Sequence, residues 1–169
     1  MRRTRAQSVT TRWIVGRVTE WLAVLGLVRG VALTAGTTTI GSRTLTAGFQ
    51  ADARSVVYAA AGAITIAGVV ATRSSSRRLL AMAAVVIGAA GIAALAEVWR
   101  CVAHWHAAAA QLALNRGYPA SAAHNHYGYG VELVVAGGLL AIVAALVIGS
   151  RARTPPVRLG LQEQFSAQP

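Results

Sequence analysis

The chain has 169 residues, of which 55% are hydrophobic and only 12% are charged. That balance excludes an ordinary soluble domain, because a chain of this length cannot place so much apolar surface inside itself. The 16 basic residues outnumber the 5 acidic ones, but they lie between long apolar segments rather than in one patch, which favours lipid phosphate over nucleic acid as their partner.

The residue usage indicates a source and limits the chemistry of the chain. Every basic residue is Arg, and Ala, Val and Gly are abundant, as expected of a GC-rich actinobacterial genome. The bacterial inner membrane is therefore the predicted location. The single cysteine, Cys101, excludes an intramolecular disulfide and any motif built from several cysteines.

Four apolar segments approach the roughly 20 residues that a helix needs to cross a membrane. The predicted spans are residues 13–35, 55–72, 79–99 and 129–150. The first span is the least apolar, since it contains Arg17, Glu20 and Arg29. Arg17 and Glu20 lie three residues apart, so they can pair with each other on one face of a helix. Two alternatives for this segment are a cleaved signal peptide ending near Ala35 and an amphipathic helix on the membrane surface.

The distribution of Arg predicts the orientation, because basic loops stay in the cytoplasm. With both termini inside, eleven of the 16 Arg residues are cytoplasmic and four lie outside. The predicted fold is an all-α membrane protein, a four-helix transmembrane bundle. A basic cytoplasmic N-terminus (1–12) precedes it, and a disordered cytoplasmic tail (151–169) follows it.

The first outer connection contains two Thr-rich runs, residues 37–40 and 43–46, separated by Gly41-Ser42. Such runs, joined by two residues with Gly first, predict a small extracytoplasmic β-hairpin with a type II′ turn. An irregular Thr-rich loop fits the same composition. In the second outer connection, the third helix is predicted to continue to about Asn115 and to end before Gly117 and Pro119.

The histidines of the second connection form two His-x-His motifs: His104 with His106, and His124 with His126. On a helix, His104 and His106 point about 200° apart and cannot hold one ion together. Cys101 and His104 share one helical face, and with His126 they are the candidate metal ligands. Ordinary interfacial histidines are the alternative, since no recognised ligand spacing is complete. The aromatic residues at this outer boundary fit a headgroup-level belt, and they are Trp99, Trp105, Tyr118, Tyr127 and Tyr129.

Three charges fall within the outer third of the predicted membrane layer: Arg29, Glu97 and Glu132. Opposite charges at one depth can neutralise one another, so these residues are predicted to form an intramembrane charge cluster. The alternative is that each side chain reaches the nearby interface separately.

Small residues that lie close together in the sequence predict surfaces where helices pack closely against one another. Three such pairs occur: Gly26 and Gly30, Ala84 and Gly88, and Gly137 and Gly138.

Three local motifs accompany the order of segments: Thr44-Leu45-Thr46-Ala47-Gly48 in the outer loop, Ala71-Thr72-Arg73 at the end of the second span, and Arg77-Arg78 before an Ala/Gly-rich third span. This layout resembles that of the actinobacterial tryptophan-associated transmembrane proteins. The family is named for its genomic neighbourhood beside tryptophan biosynthesis genes, so the resemblance implies a layout and no biochemical activity. The His-rich second outer loop departs from the pattern of the family.

The sequence lacks a phosphate-binding Gly loop with Lys, a nucleophile elbow and a His-Glu-x-x-His motif. It also lacks the buried acidic residues and broken-helix repeat of an ion-coupled transporter. These observations predict a non-enzymatic accessory or scaffold protein without a cofactor, whose partners are lipid and other membrane proteins. The alternative is a metal-handling or small-solute transport protein that uses the outer histidines.

Overall fold

The computed structural model describes residues 3–153, and their side chains from Trp13 onward. Its helices are α1 (Arg3–Ala32), α2 (Ala51–Arg73), α3 (Arg77–Asn115) and α4 (Tyr129–Arg153). Its strands are β1 (Gly36–Ile40), β2 (Arg43–Ala47) and β3 (Ala123–Tyr127), with a 3₁₀ turn at Ala120–Ala122. The predicted bundle of four helices with a small hairpin is confirmed in this coarse form. Of the predicted disordered tail, residues 151–153 instead complete α4, and the remainder lies outside the described residues.

The helices form a closed ring in which α1 contacts α2 and α4, and α3 contacts the same two neighbours from the other side. The connections from α1 to α2 and from α3 to α4 meet in one sheet, and only three residues join α2 to α3, so the helices run alternately up and down. Within the described part of the chain, α2, α3 and α4 are long and apolar enough to cross a membrane. Helix α1 is not among them, because Arg17, Glu20 and Arg29 interrupt its apolar sequence. The fourth crossing therefore stays a prediction.

The helices approach closely where glycine removes a side chain. An added Cβ at Gly26 would lie 3.2 Å from Gly137 Cα, and one at Gly30 would lie 2.8 Å from the Gly130 carbonyl oxygen. The positions predicted from small-residue spacing in α1 and α4 thus meet each other. Buried alanines fill much of the remaining core, so van der Waals contact between backbones holds the helices together.

The sheet lies at one end of the bundle, which we call the sheet end. Strand β1 is central and pairs antiparallel with β2 and β3, in the order β2-β1-β3. Gly41 has a φ of 59° and Ser42 has no positive φ, which agrees with the predicted type II′ turn. The hairpin is confirmed, whereas β3 was not predicted. The opposite end of the bundle, which we call the basic end, carries Arg residues at the termini of α2, α3 and α4.

Helix α3 has 39 residues and is about 58 Å long at 1.5 Å per residue, roughly twice the thickness of a hydrocarbon layer. Its last sixteen residues, 100–115, follow the predicted span and run beside the sheet. As predicted, the helix continues to Asn115, and Gly117, with a φ of 77°, then reverses the chain. We call residues 100–115 the α3 extension.

Candidate functional site at the sheet end

A chain of side-chain hydrogen bonds joins the α3 extension to strands β1 and β3. Trp105 Nε1 donates to Thr38 Oγ1 at 2.7 Å, and Thr38 Oγ1 donates to Asn125 Oδ1 at 2.7 Å. Asn125 Nδ2 lies 2.8 Å from His106 Nδ1, and His106 Nε2 lies 3.0 Å from the Tyr127 hydroxyl. We call these five residues the polar network. It connects α3, β1 and β3 at one place.

The polar network has one consistent direction of donation. The indole N–H of Trp105 can only donate, and Thr38 therefore uses its own hydroxyl hydrogen for Asn125. The Asn125 amide nitrogen then donates to Nδ1 of His106, which places the imidazole hydrogen on Nε2. His106 in turn donates to Tyr127. Each hydrogen bond orients the side chain that makes the next one, so the network holds the sheet in one orientation on α3.

Three aromatic rings pack around the same hydrogen bonds. The Trp105 and Tyr127 ring centroids lie 6.0 Å apart with an interplanar angle of 73°, and His106 and Tyr127 make a similar edge-to-face contact. Gly36 of β1 lets the Trp105 ring approach, because an added Cβ there would overlap the indole. The sequence places Trp105 and Tyr127 in an aromatic belt. Their joint role could be found only once β3 was recognised.

Asn125→Leu should detach the sheet from α3, since Thr38 and His106 would both lose a partner. Exposed His106 can bond to water instead, but Thr38 is only 4% exposed. Leaving its buried hydroxyl hydrogen without an acceptor costs about 1–3 kcal/mol, so backbone amide exchange in β1 should accelerate by about tenfold or more. Hydrogen exchange with mass spectrometry measures this directly. Gln111→Leu is the matched control, because it removes an exposed amide that donates only to Asn115 on the same helix. Equal exchange in the two variants would mean that the network does not hold the sheet.

A cavity of about 170 Å³ lies beside the network, between α3 and the segment that follows β2. Cys101 and His104 both line it, together with Phe49 and Gln50. The structure thus brings two of the three candidate metal ligands to one cavity. His126 is not among the lining residues and lies on β3 opposite Thr37. Strand alternation turns its side chain to the face away from Asn125.

The surroundings of Cys101 and His104 limit what they can bind. Burial raises the pKa of the Cys101 thiol, and the nearby Glu97 carboxylate raises it further. The sulfur lies 3.9 Å from Glu97 Oε1, and the thiol form donates there, whereas a metal requires the thiolate. His104 Nδ1 lies 3.2 Å from the Arg100 carbonyl oxygen. Among the described residues, no group of three or more His, Cys, Asp and Glu side chains is arranged around a metal position.

The three charges predicted to cluster have different surroundings. Glu97 pairs with Arg100 one turn further along α3, at 2.6 Å from Oε1 to a guanidinium nitrogen. Arg29 on α1 and Glu132 on α4 are exposed, and the ion pairs found in residues 13–153 do not include them. The structure therefore does not join the three in one ion-paired group. Local i,i+3 spacing gives Glu97 a nearer partner than a residue on another helix.

The charged side chain most deeply buried in the described region is Glu20, which is 3% exposed. Arg17 Nη1 lies 2.9 Å from its Oε2, so the pairing expected from their spacing is present. Glu20 nevertheless points into the bundle, against Gly68 of α2, where an added Cβ would overlap the carboxylate. The sequence indicated the pair and missed the burial, which depends on the rotation of α1 relative to α2.

These features define the class of structure: a four-helix bundle with three helices suited to a membrane, and a small sheet fixed to an extension of one helix. Comparisons of the sequence with known protein families and with curated proteins find no match.

Proposed function

We propose that the chain is a non-enzymatic accessory or scaffold protein of the bacterial inner membrane. In this proposal it crosses the membrane four times with both termini in the cytoplasm, and it binds a partner protein at the sheet end. The observation that carries the proposal is the polar network, which fixes a small sheet rigidly beyond the predicted membrane layer. A layout shared with the actinobacterial tryptophan-associated transmembrane proteins is part of the same proposal.

The surroundings of α1 support its role as the fourth crossing. Ala23, Leu27 and Val31 are fully buried against the other helices. The opposite face of α1 exposes Leu22 and Leu25, each about half accessible. A helix that is apolar both towards the bundle and away from it fits a lipid environment better than a water-facing one. Loss of α1 as a cleaved signal would also uncover the Gly130–Gly138 face of α4.

Strand β2 is the best candidate for the partner surface. It is an edge strand whose residues 43–46 are all exposed. Because a two-residue turn makes Ile40 and Arg43 a hydrogen-bonded pair, the alternation of antiparallel pairing directs the backbone N–H and C=O groups of Thr44 and Thr46 away from β1. An extended segment of a partner can pair with these groups and add a fourth strand.

Photo-crosslinking in intact cells tests this surface. A photoreactive residue at Thr46 should give one discrete adduct, and the same residue at Ile66, on the lipid-facing side of α2, should give none. Adding Thr44→Pro should abolish the Thr46 adduct, because proline removes an outward N–H that an edge strand does not need. Persistence of the adduct in the Thr44→Pro protein, or equal adducts at Ile66, would count against strand pairing.

The second candidate function is metal handling or small-solute transport. The cavity lined by Cys101 and His104 favours it, as does the side-by-side placement of His124 and His126 on one face of β3. Titration of the purified protein with Zn²⁺ distinguishes the two functions. Saturable binding that is lost in both His104→Ala and His126→Ala would support metal handling, and unchanged or absent binding would not.

A further inference from the structure

A groove of about 710 Å³ opens between α3 and α4 at the basic end. Its walls are apolar, with Val85 70% exposed and Leu146 69% exposed. Small residues form its floor: an added Cβ at Gly149 would lie 3.6 Å from the Ala84 Cβ. The groove is therefore a channel between two helices that no side chain of the described chain fills.

The mouth of this groove is strongly basic. Arg77 and Arg78 begin α3, Arg153 ends α4, and the residues that line the groove include no acidic side chain. The first turn of α3 likewise lacks an acidic residue, and the side chain of Ser76 does not cap it. Three guanidinium groups and the N-terminus of α3 thus lie at the mouth of the groove, which is a favourable setting for a phosphate.

We propose that this groove binds one anionic phospholipid, with its phosphate at Arg77, Arg78 and Arg153 and an acyl chain between Val85 and Leu146. The proposal rests on the proposed membrane location. A free phosphate would use only the mouth and leave the apolar walls uncovered, whereas a phospholipid satisfies both parts. A zwitterionic lipid also carries an ammonium group, which the three Arg residues would repel.

Native mass spectrometry of the full chain tests the proposal. The protein in mild detergent would receive equimolar phosphatidylglycerol and phosphatidylethanolamine with identical acyl chains. We expect phosphatidylglycerol to be retained in preference by at least about tenfold, and Arg77→Gln with Arg78→Gln to remove the preference. Arg43→Gln with Arg116→Gln is the matched control, since both of these exposed Arg residues lie near the sheet. Equal retention of the two lipids by the unaltered protein would overturn the proposal.

A second variant separates a lipid from an anion. Gly149→Phe fills the groove and leaves the Arg residues in place, so it should abolish lipid retention. Retention that survives Gly149→Phe, or that millimolar inorganic phosphate displaces, would reduce the site to an anion site and overturn the lipid assignment. Fractionation of the expressed protein keeps the two proposals distinct. A chain absent from the membrane fraction would overturn both, and a membrane-bound chain without the lipid preference would overturn only the groove.

Discussion

Gly30→Ala should lower the stability of the bundle by about 1–3 kcal/mol or more, the cost typical of overpacking. The added Cβ would lie 2.8 Å from both the Gly130 carbonyl oxygen and the Val134 backbone nitrogen. Backbone atoms cannot rotate aside, so α1 and α4 would have to separate along their shared face. The midpoint of thermal unfolding in a mild detergent measures the loss.

Gly62→Ala is the matched control for this substitution. Gly62 also lies inside a helix, but an added Cβ there meets nothing within 4 Å. Alanine favours helix over glycine by about 0.8–1 kcal/mol, so this variant should be unchanged or more stable. A similar loss in both variants would show that helix packing does not depend on the close α1–α4 approach.

Arg17→Leu should cause a second large loss, because Glu20 would keep a buried carboxyl group without its donor. Removing one partner of a buried ion pair costs about 3–5 kcal/mol in known cases. The double variant Arg17→Leu with Glu20→Leu should recover much of that stability, since no buried charge then lacks a partner. Unfolding of both single variants and the double variant completes the mutant cycle.

Arg100→Leu provides the comparison for the buried pair. It breaks the other i,i+3 pair, in which the Arg side chain is 49% exposed rather than 24%. Exposed pairs contribute about 0–1 kcal/mol, so the loss should be smaller than for Arg17→Leu. Additive losses in the Arg17 and Glu20 cycle would contradict a coupled, buried pair.

The helices and the hairpin could be predicted because their signals are local. Long apolar segments with at most one charged residue identify three helices, and Gly41-Ser42 between Thr-rich runs identifies the turn. Strand β3 has no comparable signal: its residues Ala123–Tyr127 lack β-branched side chains, and it forms only because β1 offers a free edge. Because β3 was not predicted, the polar network could not be predicted either, since Asn125 contacts His106 and Thr38 only when β3 pairs with β1.

The direction in which the charged side chains face could not be predicted from the sequence. Depth along a helix could be estimated from residue counting, and it suggested that Arg29, Glu97 and Glu132 share one layer. Depth does not determine which way a side chain faces. Glu97 finds Arg100 on its own helix, while Glu20 turns towards Gly68 because of how α1 and α2 pack.

The central claim is that the bundle crosses the membrane and places its two ends on opposite sides. Cysteine labelling tests it in a Cys101→Ala background, with Ser42→Cys in the hairpin turn and Ser75→Cys in the turn between α2 and α3, both exposed positions. In spheroplasts, an impermeant maleimide should label the Ser42→Cys protein at once and the Ser75→Cys protein only after permeabilisation. Labelling of both from the outside, or of the Ser75→Cys protein alone, would contradict the claim.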